Sequence, residues 1–209
     1  IGVGGNSRDI AEAVEAINTV QETWNLLGFL DDNAKLVGSN VDGYRVLGTT
    51  ASIAAFPQAQ VVIGVANDRH LFVRREIESR LGIERNRFAT LIHPTAQVSK
   101  RAGIGCGTVI LQFSFVSSQV SIGDHVIINQ SVVIAHDSKI GSYVSMAPSL
   151  SIMGGVRVGE GVYIGTGARL YPGIEIGSGS LVGVGAVVLS SVSPEVTVFG
   201  NPARVLPAG

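Results

Sequence analysis

Ile122-Gly123-Asp124-His125-Val126-Ile127-Ile128-Asn129-Gln130-Ser131-Val132-Val133-Ile134-Ala135-His136-Asp137-Ser138-Lys139-Ile140 carries an aliphatic residue at every sixth position. Stepping outward by six in both directions, the register runs unbroken from Ile92 to Val188. All seventeen positions are aliphatic or Met. Four residues after each stands a small or β-branched residue in nearly every case, such as Ala96, Ala102, Thr108, Ser114, Val120 and Val126. Gly often follows the aliphatic position, as in Ile104-Gly105, Ile140-Gly141 and Ile176-Gly177. A period of six suits neither an amphipathic helix nor an alternating strand. It suits a triangular coil in which each hexad is one short strand and one corner, and three hexads close a turn. Some corners need backbone angles that Gly adopts cheaply. With strands stacked about 4.8 Å apart, seventeen hexads make about five and two-thirds turns, a prism on the order of 27 Å tall. The expected architecture is a left-handed parallel β-helix.

Residues 1–90 lack that phase and read as alternating strands and helices. Ile1-Gly2-Val3-Gly4-Gly5 reads as a strand end entering a Gly-rich turn, and Arg8 to Thr23 has helical spacing through Ile10, Val14 and Ile17. Leu26 to Leu30 and Val61 to Val65 suit buried strands, and a charged helix is expected from about Asp68 to Leu81. Alternating β and α implies a small parallel sheet with crossover helices, whose ligands sit at the carboxyl ends of the strands. Three loops fall there: Gly2–Ser7, Asp31–Asn33 and Gly64–Asp68. The first has Gly2 and Gly4 but Ser7 in place of a third glycine, so it reads either as a tight turn or as a helix N-terminus holding a phosphate. It does not predict NAD. The fold is thus mixed: a small N-terminal α/β Rossmann-like domain, 1–90, followed by a C-terminal left-handed β-helix with its tail, 91–209.

The bulk numbers fit this division. Of 209 residues, 45% are apolar and 15% charged, enough to bury a sizeable core. A formal net charge of −1 argues against a dedicated nucleic-acid or anionic-membrane binder. The single cysteine, Cys106, excludes an internal disulfide framework and fits a reducing, cytoplasmic compartment; it reads as a packed small residue. No run of about 18 apolar residues suggests a membrane span, and no secretory signal is read. The chain opens at Ile1 and not Met, consistent with residues preceding it.

Four histidines are candidates for chemistry. His70 reads as solvent-exposed on a charged helix, His93 as a structural hydrogen-bonder before Pro94, and His125 as a solvent-facing corner residue. His136 differs because Asp137 follows it, and Gly154-Gly155 stand eighteen residues on, one full turn later. Two glycines stacked over a His-Asp pair leave side-chain-free space that can admit a ligand. A plain surface histidine remains the competing reading. An imidazole titrates near neutrality and can act as general base, and a neighbouring carboxylate favours the imidazolium and orients the ring. That suits deprotonation of an amine or hydroxyl attacking a thioester. No metal-ligand spacing appears.

The hexads resemble those of the acyltransferases with left-handed β-helices. The whole chain is similar to a narrower group, the sialic acid O-acetyltransferase family together with bacterial nucleotide-sugar N-acetyltransferases of the bacillosamine and perosamine type. The resemblance rests on Gly2-Val3-Gly4-Gly5-Asn6, Phe29-Leu30-Asp31-Asp32, Ile63-Gly64-Val65-Ala66-Asn67, Leu91-Ile92-His93-Pro94-Thr95-Ala96, Ile134-Ala135-His136-Asp137 and Val198-Phe199-Gly200-Asn201-Pro202-Ala203. These span the chain from end to end. The resemblance implies an acetyl-CoA-dependent acetyltransferase without a metal, acting on the amino group of a nucleotide-linked amino sugar. It implies a homotrimer with active sites between neighbouring prisms. His136 matches the family's catalytic base and Asp137 its carboxylate partner. Gly4, Gly5, Asn6, Asp31, Asp32 and Asn67 fall in the substrate loops, and Asn129 in the acceptor pocket. Ser145, Gly154, Gly155, Thr166 and Val184 fall along the acetyl-CoA path. Two positions depart from the pattern: Asn6 stands where the first loop usually has His, and Ser145 where a second His helps hold the acetyl carbonyl. The oxyanion partner is therefore open, and a backbone N–H such as that of Gly154 is one answer. Alternatives are O-acetylation of sialic acid or another hydroxyl acceptor, and a non-catalytic β-helix scaffold. A γ-class carbonic anhydrase would need three zinc histidines.

Overall fold

The computed structural model describes residues 1–206; the last three residues of the expected coil domain, 207–209, lie outside the described residues. The coil begins at Leu91 and carries three parallel sheets. Face 1 stacks Leu91–Ile92, Val109–Ile110, Ile127–Ile128, Ser145–Met146, Tyr163–Ile164 and Leu181–Val182. Face 2 runs from Gln97–Val98 to Val187–Val188, and face 3 from Gly103–Ile104 to Glu175–Ile176. Registers pair residues eighteen apart, for example Val133 with Ser151 and Ile134 with Ile152. The second residue of each strand points inward, and with the small residue four positions later it forms one continuous core from Ile110 to Val198. Each fully buried aliphatic side chain contributes roughly 1.5–3 kcal/mol.

The glycines of the hexads do two separate jobs. The left-handed backbone falls three residues after the inward aliphatic: at Phe113, Gln119, His125, Ser131, Asp137, Tyr143 and Ser149, and then at glycines from Gly155 to Gly185. The glycine directly after the aliphatic answers crowding instead. A Cβ on Gly141 would lie 2.7 Å from the Glu160 nitrogen in the next coil. The chain closes the coil's end with Thr197–Phe199, parallel to Leu181–Val182, and Arg204–Val205 folded back antiparallel.

In the N-terminal unit, α1 (Gly5–Val20) starts three residues before the sequence expectation, capped by Gly4. One side, through Ile10, Ala13 and Val14, packs on Leu91, Val109 and Leu111 of the coil. Ala11 faces Phe29 and Val46 of the sheet. That sheet has β1 (Phe29–Leu30) parallel to β3 (Tyr44–Gly48), with β2 (Asn40–Val41) as its antiparallel edge. The hairpin joining β2 and β3 turns at Asp42-Gly43, both in left-handed backbone. The run at Ile1–Gly2 continues the layer: Gly2 donates to the Leu30 carbonyl at 2.8 Å, and Gly64 donates to the Ile1 carbonyl at 2.9 Å. Val61 to Val65 forms only a single bridge, Val61 with Phe88, where a strand was expected. The second helix, α2, covers Val73–Leu81 and ends on left-handed Gly82. It is shorter at its start than expected, because Asn67 holds a turn there by accepting the Arg69 N–H at 2.8 Å.

The N-terminal unit covers face 1, and that overturns the reading of His125 as solvent-facing. Its ring is fully buried, edge-on to Phe88 at 4.6 Å and stacked on Tyr143 at 5.5 Å. His70 is exposed and bonds Glu76 at 2.8 Å, and His93 bonds Thr95 at 2.9 Å, both as read.

Gly141→Ala is expected to lower the thermal midpoint more than Gly173→Ala. At Gly173 an added methyl meets nothing but must sit at φ +71°, a strain of about 1–2 kcal/mol. At Gly141 the same methyl strikes backbone of the next coil. Calorimetry on the two variants checks this, and a reversed order would show that backbone crowding does not govern the corner.

Candidate active site

His136 and Asp137 form the turn between faces 2 and 3. Asp137 takes the left-handed position, φ +61°, which Asp tolerates better than most side chains. That bend swings its carboxylate back to its neighbour, so that Asp137 Oδ2 lies 2.8 Å from His136 Nδ1. A carboxylate only accepts, so Nδ1 carries the hydrogen and Nε2 is left with its lone pair. Both side chains are about two-thirds exposed, at 66% and 64%. One coil on, the ring lies against Gly154: a Cβ there would come within 2.7 Å of His136 Cε1 and 2.9 Å of Nε2. Gly155 donates its N–H to the His136 carbonyl at 2.9 Å. The Gly154 N–H has no acceptor among the described residues. Met153 and Tyr171, exposed on the same corner, flank this glycine strip.

The strand-end loops come together elsewhere. Val3 donates to Asp31 Oδ2 at 3.2 Å, which ties the glycine turn of Gly4, Gly5 and Asn6 to Asp31. Gly64 packs so closely on Ser7 that a side chain there would collide with it, which brings the Asn67 loop alongside. Asp32 turns away to Thr50, accepting from its N–H and hydroxyl at 2.9 and 2.7 Å, and to Arg80 at 3.2 Å. The Thr50 hydrogen bonds hold its carboxyl below the usual range.

The remaining expected residues divide by corner. Gly154 and Gly155 share the His136 corner. Asn129, Thr166 and Val184 lie on the corner between faces 1 and 2. Asn129 is buried and donates to the Met146 carbonyl at 2.9 Å. Ser145 departs from its expected place on the acetyl-CoA path: it is a buried outward residue of face 1, and its hydroxyl accepts from Arg74 Nη1 at 2.9 Å.

Sequence reading missed Arg74. It read α2 as a charged helix and gave Arg74 no part, yet Arg74 is 1% exposed. It stands three residues before buried Ile77 and seven before Leu81, on the helix's apolar stripe, and that spacing was the available signal. Near it, Tyr143 Oη donates to Glu78, and Glu78 also lies 3.4 Å from His125 Nε2. A cavity of about 530 Å³ opens between α1, Phe29 and Val61 and is lined mostly by aliphatic groups. Among the described residues no helix is long and apolar enough to cross a membrane, and no group of three metal-binding side chains occurs.

A left-handed coil of hexads with an oriented imidazole over a bare glycine strip defines the class: the hexapeptide-repeat acyltransferases. Residues 155–190 match the model "Bacterial transferase hexapeptide (six repeats)", and residues 1–81 match "PglD N-terminal domain". A curated relative, UDP-N-acetylbacillosamine N-acetyltransferase of Bacillus subtilis, is 37% identical over 113 residues, 53% of this chain and 49% of that protein. The match thus spans about half the length of that relative. The acetyltransferase domain of PglB from Neisseria gonorrhoeae, solved with acetyl coenzyme A, is 34% identical with a TM-score of 0.86, over 98% of this chain and 96% of that one. PerB from Caulobacter crescentus, solved with CoA and GDP-perosamine, is 27% identical with a TM-score of 0.86, over 99% and 95%. The chain belongs to the bacillosamine- and perosamine-type N-acetyltransferase family.

Burial lowers the His125 pKa from its ordinary 6.5, outweighing nearby Glu78 and Asp124, while Arg74 adds to the effect. The unfolded chain therefore takes this proton first on acidification. The stability that His125 contributes is complete above about pH 6.5 and is lost as pH falls below it; His93, lowered by partial burial, acts in the same direction. The lowered carboxylates, Asp32 and Asp124, act only near or below their ordinary 3.8. The thermal midpoint is expected to drop from pH 7.5 to 5.5, and His125→Gln to flatten that drop; parallel slopes in the two proteins would remove His125 from the account.

Proposed function

We propose that the protein transfers the acetyl group of acetyl-CoA to the amino group of a nucleotide-linked amino sugar, with His136 as general base. The carrying observation is the His136 ring, held by Asp137 through Nδ1, with Nε2 presented over Gly154. The acceptor nitrogen attacks the acetyl carbonyl carbon, a C–N bond forms, and Nε2 takes the amine proton. Asp137 favours the imidazolium that results. The carbonyl oxygen gains charge, and the unpartnered Gly154 N–H is placed to donate to it. Collapse breaks the C–S bond, and CoA leaves as the thiolate, to be protonated by the imidazolium or by water. The bare strip at Gly154, Gly155 and Gly173 fits a thioester arm: a Cβ at Gly173 would meet nothing within 4 Å.

Prism geometry supports a homotrimer. The N-terminal unit, read as the nucleotide-sugar domain of residues 1–90, sits on face 1 and its flanking corners. His136 is on the third corner, so one chain cannot bring both to one acceptor. Phe115 and Val133 form an exposed apolar patch on face 2, with Phe113 at its edge and Gln97 and Arg169 above and below it. Three copies meeting on that face would set His136, Asp137, Gly154 and Gly155 of one against Asn129, Thr166 and Val184 of the next, below the neighbour's Asp31 and Asn67 loops. The coil, 91–209, is then the acetyltransferase domain. Both co-substrates and the lone thiol fit a cytoplasmic setting. A hydroxyl acceptor would use the same base; the names of the relatives favour an amine.

His136→Ala is expected to lower kcat/KM by about 10²–10⁴-fold with the oligomer intact by light scattering. Gly154→Ala, which drives a methyl into the ring, is expected to lower it in the same direction. CoA release is assayed over UDP-, GDP- and CMP-linked amino and hydroxy sugars. Undiminished turnover by His136→Ala would end its assignment as the base.

A further inference from the structure

Arg74 is a buried cation, and among the described residues no carboxylate lies on its guanidinium. Nε donates to the His125 carbonyl at 2.9 Å, Nη2 to the Tyr143 carbonyl, and Nη1 to the Ser145 hydroxyl and the Val65 carbonyl, both at 2.9 Å. The first three acceptors belong to two successive coils, since His125 and Tyr143 are eighteen residues apart. The fourth belongs to the Gly64–Asp68 loop. One planar fork therefore joins a strand-end loop of the N-terminal unit to face 1 of the coil. Burial holds the Arg74 pKa down to about 10, so the group stays charged at neutral pH.

A buried ion of this kind is a poor way to gain stability, because an apolar side chain of similar volume is often as good or better. What the fork supplies is direction. Gly64 abuts Ser7, so a shift of the Val65 loop carries the Gly2–Ser7 turn with it. We infer that Arg74 is a positioning residue: it fixes the strand-end loops against the coil and so sets where the nucleotide sugar is held. This rests on the reading of those loops as the nucleotide-sugar site. Arg74 touches no reacting atom and acts through Val65. It also gives Ser145 a role, as an anchor for Arg74 on the coil.

The test is Arg74→Met, Arg74→Lys and the milder Ser145→Ala, which removes one anchor and leaves the N-terminal unit unaltered. Using the nucleotide amino sugar that the wild type turns over, KM for that substrate is expected to rise roughly tenfold or more in Arg74→Met and about two- to tenfold in Ser145→Ala. Arg74→Lys, with the charge but not the fork, falls between Arg74→Met and the wild type. KM for acetyl-CoA stays within about twofold throughout, because the Gly154 strip is untouched. A fall in kcat with neither KM changed would show a stability role alone and overturn the inference. Hydrogen exchange decides it without any substrate. The Gly64 amide, which donates to the Ile1 carbonyl at 2.9 Å, is expected to exchange faster in Arg74→Met while the amides of residues 127–146 keep their protection. Unchanged protection at Gly64 would overturn positioning by Arg74. Absence of turnover by the wild type on every sugar would instead overturn the proposed function and leave the exchange result to judge Arg74.

Discussion

Inside the coil, each inward aliphatic side chain rests on another eighteen residues away, and both rest on their neighbours across the prism. Ile128, Met146 and Ile164 make one such column, Ile134, Ile152 and Leu170 another, all essentially solvent-free. Burial is non-directional, but here it acts with the coil-to-coil hydrogen bonds, such as Ala135 to the Ile152 carbonyl at 2.9 Å. A slip by one residue would turn the whole aliphatic set outward, so the register is strongly fixed. Stability in such an array comes from each coil and its contacts with the next. That constraint gives the outer surface a strict geometry: any two residues eighteen apart stand over each other, whatever they are.

The active corner exploits this. Placing Gly154 eighteen residues after His136 removes a side chain from directly beside the ring at no cost to the core, because neither residue points inward. Asp137 occupies a position where the backbone is left-handed in four successive coils, at Gln119, Asp137, Gly155 and Gly173, so the bend that aims its carboxylate at His136 is a property of the corner itself. The same geometry keeps the corner apart from the N-terminal unit. A triangular prism covered on one face has its remaining corner turned away from the cover.

How much was legible in the sequence follows from which contacts repeat. The coil and the His136–Gly154 stacking were readable because the eighteen-residue period turns sequence distance into spatial distance. The Gly2–Ser7, Asp31–Asn33 and Gly64–Asp68 loops were readable from apolar runs and glycines, although only Phe29–Leu30 before Asp31 is a strand and Val61–Val65 makes a single bridge. Boundaries in the N-terminal unit were less so: α1 begins at Gly5, where open surroundings tolerate glycine, and the β2–β3 hairpin went unread although Asp42-Gly43 is a strong hairpin signal. His125 and Ser145 were misplaced for one shared reason. Their hexad positions say that they point outward, and nothing in the period says which face another unit will cover. Arg74, whose burial answers theirs, was hidden behind its charge.

The cover itself is held by two kinds of interaction, and they are not interchangeable. At α1, Ile10, Ala13 and Val14 lie on Val109 and Leu111, an apolar contact that favours association. Such contact tolerates sliding by a fraction of an ångström, because it depends on area and weakly on direction. At α2, Arg74 and Glu78 reach polar groups of the coil through bonds that weaken steeply with misalignment. Acetyl transfer requires its reacting atoms about 3–3.5 Å apart, and a displacement of about 1 Å is enough to slow it severely. An interface of aliphatic side chains alone could bind the N-terminal unit, but it would leave the strand-end loops free to drift by amounts of that order. Polar groups at the α2 end therefore answer a need for register that apolar area cannot meet, and burying them is tolerated because the α1 end supplies the adhesion.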